Sequence, residues 1–227
     1  MRNSGNSILV LFFVLLCVSC GESGNNFFKP QRIDPPSVQD RASLLQEENL
    51  GRSSWQRPQL IVDKIGGVKG KTIADIGAGT GYFTFHLAYL DAEVIAIDID
   101  PEMTQYIDTY KQKLPNKKGE KITTRLAEED NPMLKDAEVD CAIIINTISY
   151  IDELEKYLTT LKPALKKDGR VVIVDYKRPS DEISTPPIED MVSPLLLQKY
   201  LTNSGYTNVV IDNTSLQYQY IVTAMIP

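Results

Sequence analysis

The chain has 227 residues, and its 30 acidic side chains outnumber its 24 lysines and arginines, which gives a formal net charge of −6. Proteins bind phosphate backbones mainly through lysine and arginine, so this acidic balance argues against a nucleic-acid partner. Three cysteines and one histidine provide neither a disulfide framework nor a spaced zinc-binding set, and we expect no metal site.

The first residues have the features of an export signal. Arg2 precedes an apolar run from Ile8 to Val18, and small residues follow. The run is shorter than the roughly 20 apolar residues that a transmembrane helix needs. Cys17-Val18-Ser19-Cys20 resembles a bacterial lipobox, which implies a signal peptide over residues 1–19 and a lipid on Cys20. The protein would then be exported and anchored to a bacterial membrane, on its periplasmic or outer-membrane face. An ordinary cleaved signal peptide and an uncleaved anchor are the alternatives.

The region after the signal is predicted to be a tether. Residues 20–38 are rich in Asn, Gly, Ser and Pro and lack helical periodicity. A globular domain is predicted over residues 39–227, beginning with a short helix from Ala42 to Asn49. Trp55-Gln56-Arg57-Pro58 then leads into a second helix, which Gly66 and Gly67 end.

A buried strand followed by a glycine-rich turn is the most informative local pattern. Ile73-Ala74-Asp75-Ile76 precedes Gly77-Ala78-Gly79-Thr80-Gly81-Tyr82. Glycines at such a turn let the backbone approach a ligand closely and leave helix N-terminal N–H groups free to bind it. Dinucleotide-binding turns have the spacing GxGxxG, whose third glycine allows close packing of helix on strand. Tyr82 occupies that third position here, which argues against a dinucleotide.

The spacing DxGxGxG resembles motif I of the class I methyltransferases that use S-adenosylmethionine (SAM). This resemblance implies that Asp75 helps to hold the ammonium group of the cofactor. An acid suits cationic SAM better than a pyrophosphate, which it would repel. A subgroup of the family has a similar Trp-Gln-x-Pro segment, which implies that Trp55 packs over the cofactor, although it could equally be a core aromatic. The remaining cofactor-binding residues implied at the turn are Gly77, Ala78, Gly79, Gly81 and Tyr82.

A second acid follows the next predicted strand, Glu93 to Ile97. A carboxylate at Asp98 can accept both ribose hydroxyls of an adenosine, as an acid does in dinucleotide-binding folds. The position also resembles the second acidic position of the methyltransferases, so Asp98 and Ile99 are predicted to bind the cofactor. Asp100 is instead predicted to cap the following helix, with Pro101 at its first position.

Two later segments complete the predicted site. Residues 125–132 resemble the family's adenine-contacting segment, with Ala127 and Glu128 as the contacts, although a solvated acidic loop is the alternative. A fourth strand ends at Asn146, where the family closes over the sulfonium and admits its acceptor. The resemblance therefore implies that Asn146 helps to bind the cofactor. Asn146 and Tyr150, with Tyr176 at the end of a later strand, are the candidate catalytic residues. Cys141, inside that strand, is predicted to be a buried and inert thiol.

The rest of the chain alternates apolar strands with helical patterns, as in a sheet covered on both faces. Ser193 and Pro194 are predicted to begin the last helix, and strands from Thr207 to Ile211 and from Gln217 to Met225 follow. A terminal antiparallel hairpin is typical of the methyltransferase sheet. We predict an α/β fold: a Rossmann-like, doubly wound, mostly parallel seven-stranded sheet with a C-terminal antiparallel hairpin.

The predicted function is transfer of a methyl group from SAM to an unidentified, small-molecule acceptor. Such a reaction depends mainly on alignment of acceptor and methyl group, so its chemistry demands no single catalytic residue. Residues 146–149 read Asn-Thr-Ile-Ser, unlike the Asn-Pro-Pro-Tyr type motif of enzymes that methylate adenine or glutamine. A catalytically silent, lipid-anchored module with the same fold and an NAD-dependent oxidoreductase are the alternatives.

Overall fold

The computed structural model describes residues 51–227. The predicted signal, the tether and the helix from Ala42 to Asn49 lie outside the described residues. The helices are α1 (Arg52–Gln56), α2 (Pro58–Ile65), α3 (Tyr82–Tyr89), α4 (Pro101–Lys111), α5 (Leu154–Leu161) and α6 (Pro194–Asn203). The strands are β1 (Thr72–Ile76), β2 (Glu93–Asp98), β3 (Ile122–Leu126), β4 (Val139–Ile145), β5 (Leu165–Tyr176), β6 (Thr207–Asp212) and β7 (Gln219–Met225).

The strands form a single seven-stranded sheet in the order β3-β2-β1-β4-β5-β7-β6. The first five are parallel, whereas β7 runs antiparallel to both β5 and β6. The predicted fold is therefore confirmed. The strand order reverses between β1 and β4, and in open sheets of this kind ligands bind beyond the carboxyl ends of the strands at that switch point.

Both faces of the sheet are buried, which explains the continuous apolar runs in the sequence. Alternate residues of each strand enter one of two cores. Ile73 and Cys141 pack on one face with α2, α3 and α4, whereas Ala74 and Ala142 pack on the other with α5 and α6. The prediction that Cys141 is buried is confirmed, and this burial raises the pKa of its thiol to about 12.

Two predicted helix caps are confirmed. The side chain of Asp100 accepts a hydrogen bond from the Glu102 N–H at 2.9 Å, and Pro101 is the first residue of α4. Ser193 caps α6 in the same way. Strand β5 begins before the predicted apolar run, because Leu165 already pairs with Val139 ahead of an irregularity in the ladder.

Among residues 51–227, every helix falls short of the length and apolar character that spanning a bilayer requires.

Candidate active site

The glycine turn after β1 has the backbone that its sequence requires. Gly77, Gly79 and Gly81 have φ angles of 73°, 54° and 83°, in the left-handed region that favours glycine. A Cβ on Gly77 would lie 2.2 Å from Oγ1 of Thr147, whereas a Cβ on Gly79 would meet no atom within 4 Å. Gly77 is therefore required for contact with the loop after β4, and Gly79 leaves space for a ligand.

Three N–H groups of this turn, all before the first residue of the helix, are already bonded within the protein. Gly77 and Ala78 both donate to the Ile97 carbonyl, at 2.9 and 3.0 Å. Gly79 donates to Oδ2 of Asp98 at 2.8 Å. Because β2 lies beside β1 and ends alongside the turn, its last residues take up these donors. The turn therefore serves a ligand through close backbone approach more than through these N–H groups.

Two cavities meet at this edge of the sheet. The first cavity, of about 360 Å³, is lined by the glycine turn and by side chains that include Arg52, Asp75, Tyr82 and Tyr176. The second cavity, of about 280 Å³, is lined by residues that include Asp98, Ile99, Ala127 and Glu128. The residues common to both cavities are Gly77, Asn146, Thr147 and Tyr150.

Asp75 is the acid of the first cavity. Its side chain is 3% exposed, and Oδ2 accepts a hydrogen bond from the Thr84 hydroxyl at 2.6 Å. Burial raises the pKa of Asp75 to about 6, although the Thr84 hydrogen bond and the positive charge of Arg52 oppose the rise. The Arg52 guanidinium lies over the Tyr82 ring, 4.7 Å from its centroid. The first cavity thus offers an anion and a cation, as a zwitterionic amino acid requires.

Asp98 connects the second cavity to the glycine turn. Besides accepting from Gly79, it accepts a hydrogen bond from the Asp100 N–H on Oδ1 at 3.0 Å. Burial raises its pKa. A carboxylate oxygen has two lone pairs, so Asp98 retains acceptor capacity for a ligand hydroxyl while it holds the turn in place.

Asn146 directly follows β4 and has a left-handed conformation, with φ of 59°, that asparagine tolerates better than most residues. Its side-chain oxygen accepts hydrogen bonds from two glutamines, Gln219 and, at 3.4 Å, Gln56. Both glutamines are fully buried. Sequence reasoning missed them as site residues, and the only available signal was that Gln56 follows Trp55 in the Trp-Gln-x-Pro segment.

Comparison with known proteins identifies the domain. Residues 74–173, from β1 into β5, match the family model described as a methyltransferase domain. A SAM-dependent methyltransferase from Aquifex aeolicus superposes with a TM-score of 0.73 and 26% identity, covering 83% of this chain and 99% of that one. Residues 74–173 of this chain thus match a methyltransferase domain. The predicted enzyme class and the predicted cofactor, SAM, are thereby confirmed, and the comparisons favour neither alternative.

Curated relatives of the methyltransferase domain include enzymes named for quinones. The demethylmenaquinone methyltransferase of Tropheryma whipplei is 30% identical over 130 residues, which cover 57% of this chain and 51% of that protein. A ubiquinone/menaquinone biosynthesis C-methyltransferase of Citrifermentans bemidjiense is 28% identical over 129 residues, covering 56% and 53%. The chain spans about half the length of these relatives.

The methyltransferase domain brings most of the predicted site residues to the two cavities. The predicted adenosine contacts lie at the second cavity, and the three candidate catalytic residues line the first. Trp55 is different, because it lines neither cavity and packs edge-on against Tyr218, with ring centroids 6.1 Å apart. Its role over the cofactor, like the other individual roles, stays a prediction. Arg52, one helical turn before Gln56, was missed because only the fold carries it to the cavity.

Proposed function

We propose that this protein transfers a methyl group from SAM to the ring of a small hydroquinone-type acceptor. The observation that carries the proposal is the joined pair of cavities, with Asp75 and Arg52 in one and Asp98 in the other. This distribution of charge matches a molecule with a zwitterionic amino-acid end and a ribose at its opposite end.

Each residue has a defined task in this proposal. The Asp75 carboxylate would hold the ammonium group and Arg52 the carboxylate of the methionine part, since opposite charges in a partly buried site attract strongly. Asp98 would accept the ribose hydroxyls, and Ala127 and Glu128 would border the adenine. Bound in this way, SAM supplies an electrophilic methyl group that needs no further activation. The protein's own contribution is to align the acceptor and exclude water.

The acceptor would enter through the first cavity. Its lining includes Tyr150, which is 71% exposed, the buried Tyr176, and a loop that contains Thr185 and Pro186. Aromatic and apolar groups of this kind suit a planar ring. The names of the relatives from Tropheryma whipplei and Citrifermentans bemidjiense support a quinone-derived ring as the acceptor.

Calorimetric titration of the full-length protein in detergent tests the cofactor assignment. SAM and S-adenosylhomocysteine should bind with micromolar affinity, because both carry the amino-acid and ribose ends, whereas NADH should not bind. Binding of NADH alone would contradict the proposal and favour the oxidoreductase alternative. Absence of binding by all three compounds would favour the catalytically silent module.

We also propose that the protein is exported and lipid-anchored through Cys20. The support is in the sequence: the basic Arg2, the apolar run to Val18 and the lipobox-like residues before Cys20. Metabolic labelling with an alkynyl fatty acid should mark the wild-type protein and leave Cys20→Ser unlabelled. Cys141→Ser is the matched control, because Cys141 is buried and should have no effect on labelling. Equal labelling of Cys20→Ser and the wild type would contradict the anchor.

A further inference from the structure

Four polar side chains form a continuous hydrogen-bonded chain that ends at the junction of the two cavities. Nε of Arg52 donates to Oε1 of Gln56. Nε2 of Gln56 donates to Oε1 of Gln219 at 2.8 Å, and Nε2 of Gln219 donates to Oδ1 of Asn146. The two glutamines are fully buried, so each of their polar atoms has to find a partner within the protein. We call Arg52, Gln56, Gln219 and Asn146 the amide relay.

The direction of the amide relay is set at one end. An amide can be turned over, so that its oxygen and nitrogen exchange places, but a guanidinium has donors and no acceptor. Arg52 therefore requires the oxygen of Gln56, which turns the Gln56 nitrogen toward Gln219. For the same reason Gln219 accepts from Gln56 through its oxygen and donates through its nitrogen, so the Asn146 oxygen must point toward Gln219. A reversed relay would bring two donors together at Arg52.

The consequence appears at Asn146. Two glutamine donors occupy its oxygen, and within residues 51–227 its Nδ2 group has no acceptor. Asn146 lines both cavities, so the relay leaves an N–H donor available where the cavities meet. In the proposed function this junction lies between the methionine and adenosine parts, where the acceptor has to arrive.

We propose that the amide relay fixes Asn146 as a hydrogen-bond donor to a hydroxyl or oxyanion on the ring of the methyl acceptor. Arg52, Gln56 and Gln219 are positioning residues, and Asn146 contacts the substrate. The inference rests on the proposed function and deepens it, because it assigns a group of the protein to the ring oxygen of the acceptor. A donor also lowers the energy of a phenolate oxygen, and a phenolate is more electron-rich than the neutral phenol.

Two isosteric variants change the donor without removing volume. Asn146→Asp keeps the oxygen that accepts from Gln219 and replaces only the Nδ2 group by an acceptor. Gln219→Glu does not change the chemistry of Asn146 itself. The second carboxylate oxygen of the glutamate requires a donor, so the Asn146 amide turns over and presents its oxygen to the cavity. Asn213→Asp makes the same chemical change at an exposed turn position and is the matched control.

The experiment compares two ligands by equilibrium dialysis against the full-length protein saturated with S-adenosylhomocysteine. The probe is 1,4-naphthohydroquinone, kept reduced with dithionite, and naphthalene is the hydrocarbon reference. The wild type and Asn213→Asp should prefer the hydroquinone. In Asn146→Asp and Gln219→Glu the affinity for the hydroquinone should fall at least about tenfold, the order expected when a donor becomes an acceptor facing the same oxygen. The affinity for naphthalene should be unchanged.

The cofactor is measured separately, so that the two proposals can fail independently. Affinity for S-adenosylhomocysteine should stay within about twofold in both variants. If the wild type does not bind S-adenosylhomocysteine, the proposed function fails. If it binds but shows no preference for the hydroquinone, or if both variants keep that preference, the amide relay proposal is overturned and the proposed function stands. A parallel loss of S-adenosylhomocysteine affinity in Asn146→Asp would show that Asn146 binds the cofactor, and this result would also overturn the amide relay proposal.

Discussion

The buried acid of the first cavity should make cofactor binding depend on pH. Burial raises the pKa of Asp75 to about 6, so below that pH most of the protein carries a neutral side chain there. Only the carboxylate attracts an ammonium group, and the α-amino group of the ligand stays protonated up to about pH 7.7. Affinity should therefore rise as the pH increases from 5 to 7.

The size of the effect follows from the position of this pKa. At pH 5 about one-tenth of the protein has an ionised Asp75, and at pH 7 about nine-tenths, so the Kd for S-adenosylhomocysteine should fall about tenfold between them. That factor corresponds to about 1.4 kcal/mol of binding free energy. Asp75→Asn should bind more weakly at pH 7 and lose this dependence.

Isothermal titration calorimetry at pH 5, 6 and 7 measures the effect directly. Asp98→Asn is the control, because burial also raises the pKa of Asp98 and this variant removes that contribution while leaving Asp75 in place. Circular dichroism at each pH has to show a folded protein, since Asp175, outside the two cavities, also has a pKa raised by burial to about 6. A constant Kd for the folded wild type would refute the role of Asp75.

Two further predictions concern stability. Gly77→Ala should lower the free energy of unfolding by about 3 kcal/mol, since it combines a positive φ with a collision against Thr147. Gly79→Ala, whose Cβ meets no atom within 4 Å, should lower it by only about 1 kcal/mol and chiefly weaken S-adenosylhomocysteine binding. Equal losses of stability for the two variants in urea titrations would contradict the role given to Thr147. Arg125, at 2.7 and 2.8 Å from the two oxygens of Glu138, lowers the pKa of that carboxyl to about 2. The pair therefore stabilises the fold above about pH 4.5, and this stabilisation is lost as the pH falls toward 2. In urea titrations, the free energy of unfolding should fall less over this pH range in Glu138→Gln than in the wild type.

Features that depend on neighbouring residues could be predicted from the sequence. The Asp100 cap, the glycine turn and the buried strands each follow from a few consecutive side chains and the backbone conformations open to them. The positions of Asp75 and Asp98 at one edge follow too, because parallel strands place their carboxyl ends together. The hydrogen-bond acceptors of the N–H groups in the turn could not be predicted in the same way, since they lie at the end of β2.

Taken alone, the sequence determined the fold class of the domain and the strand ends that carry the acids, because glycine spacing and apolar periodicity are local properties of the chain. Its resemblance to motif I implied the cofactor. The amide relay was decided only by the tertiary structure. Gln56 and Gln219 are 163 residues apart, and they meet where the last residue of α1 reaches the first residue of β7, the strand that inserts between β5 and β6. A hydrogen bond between distant residues depends on strand order and register, and neither is written in the spacing of either glutamine.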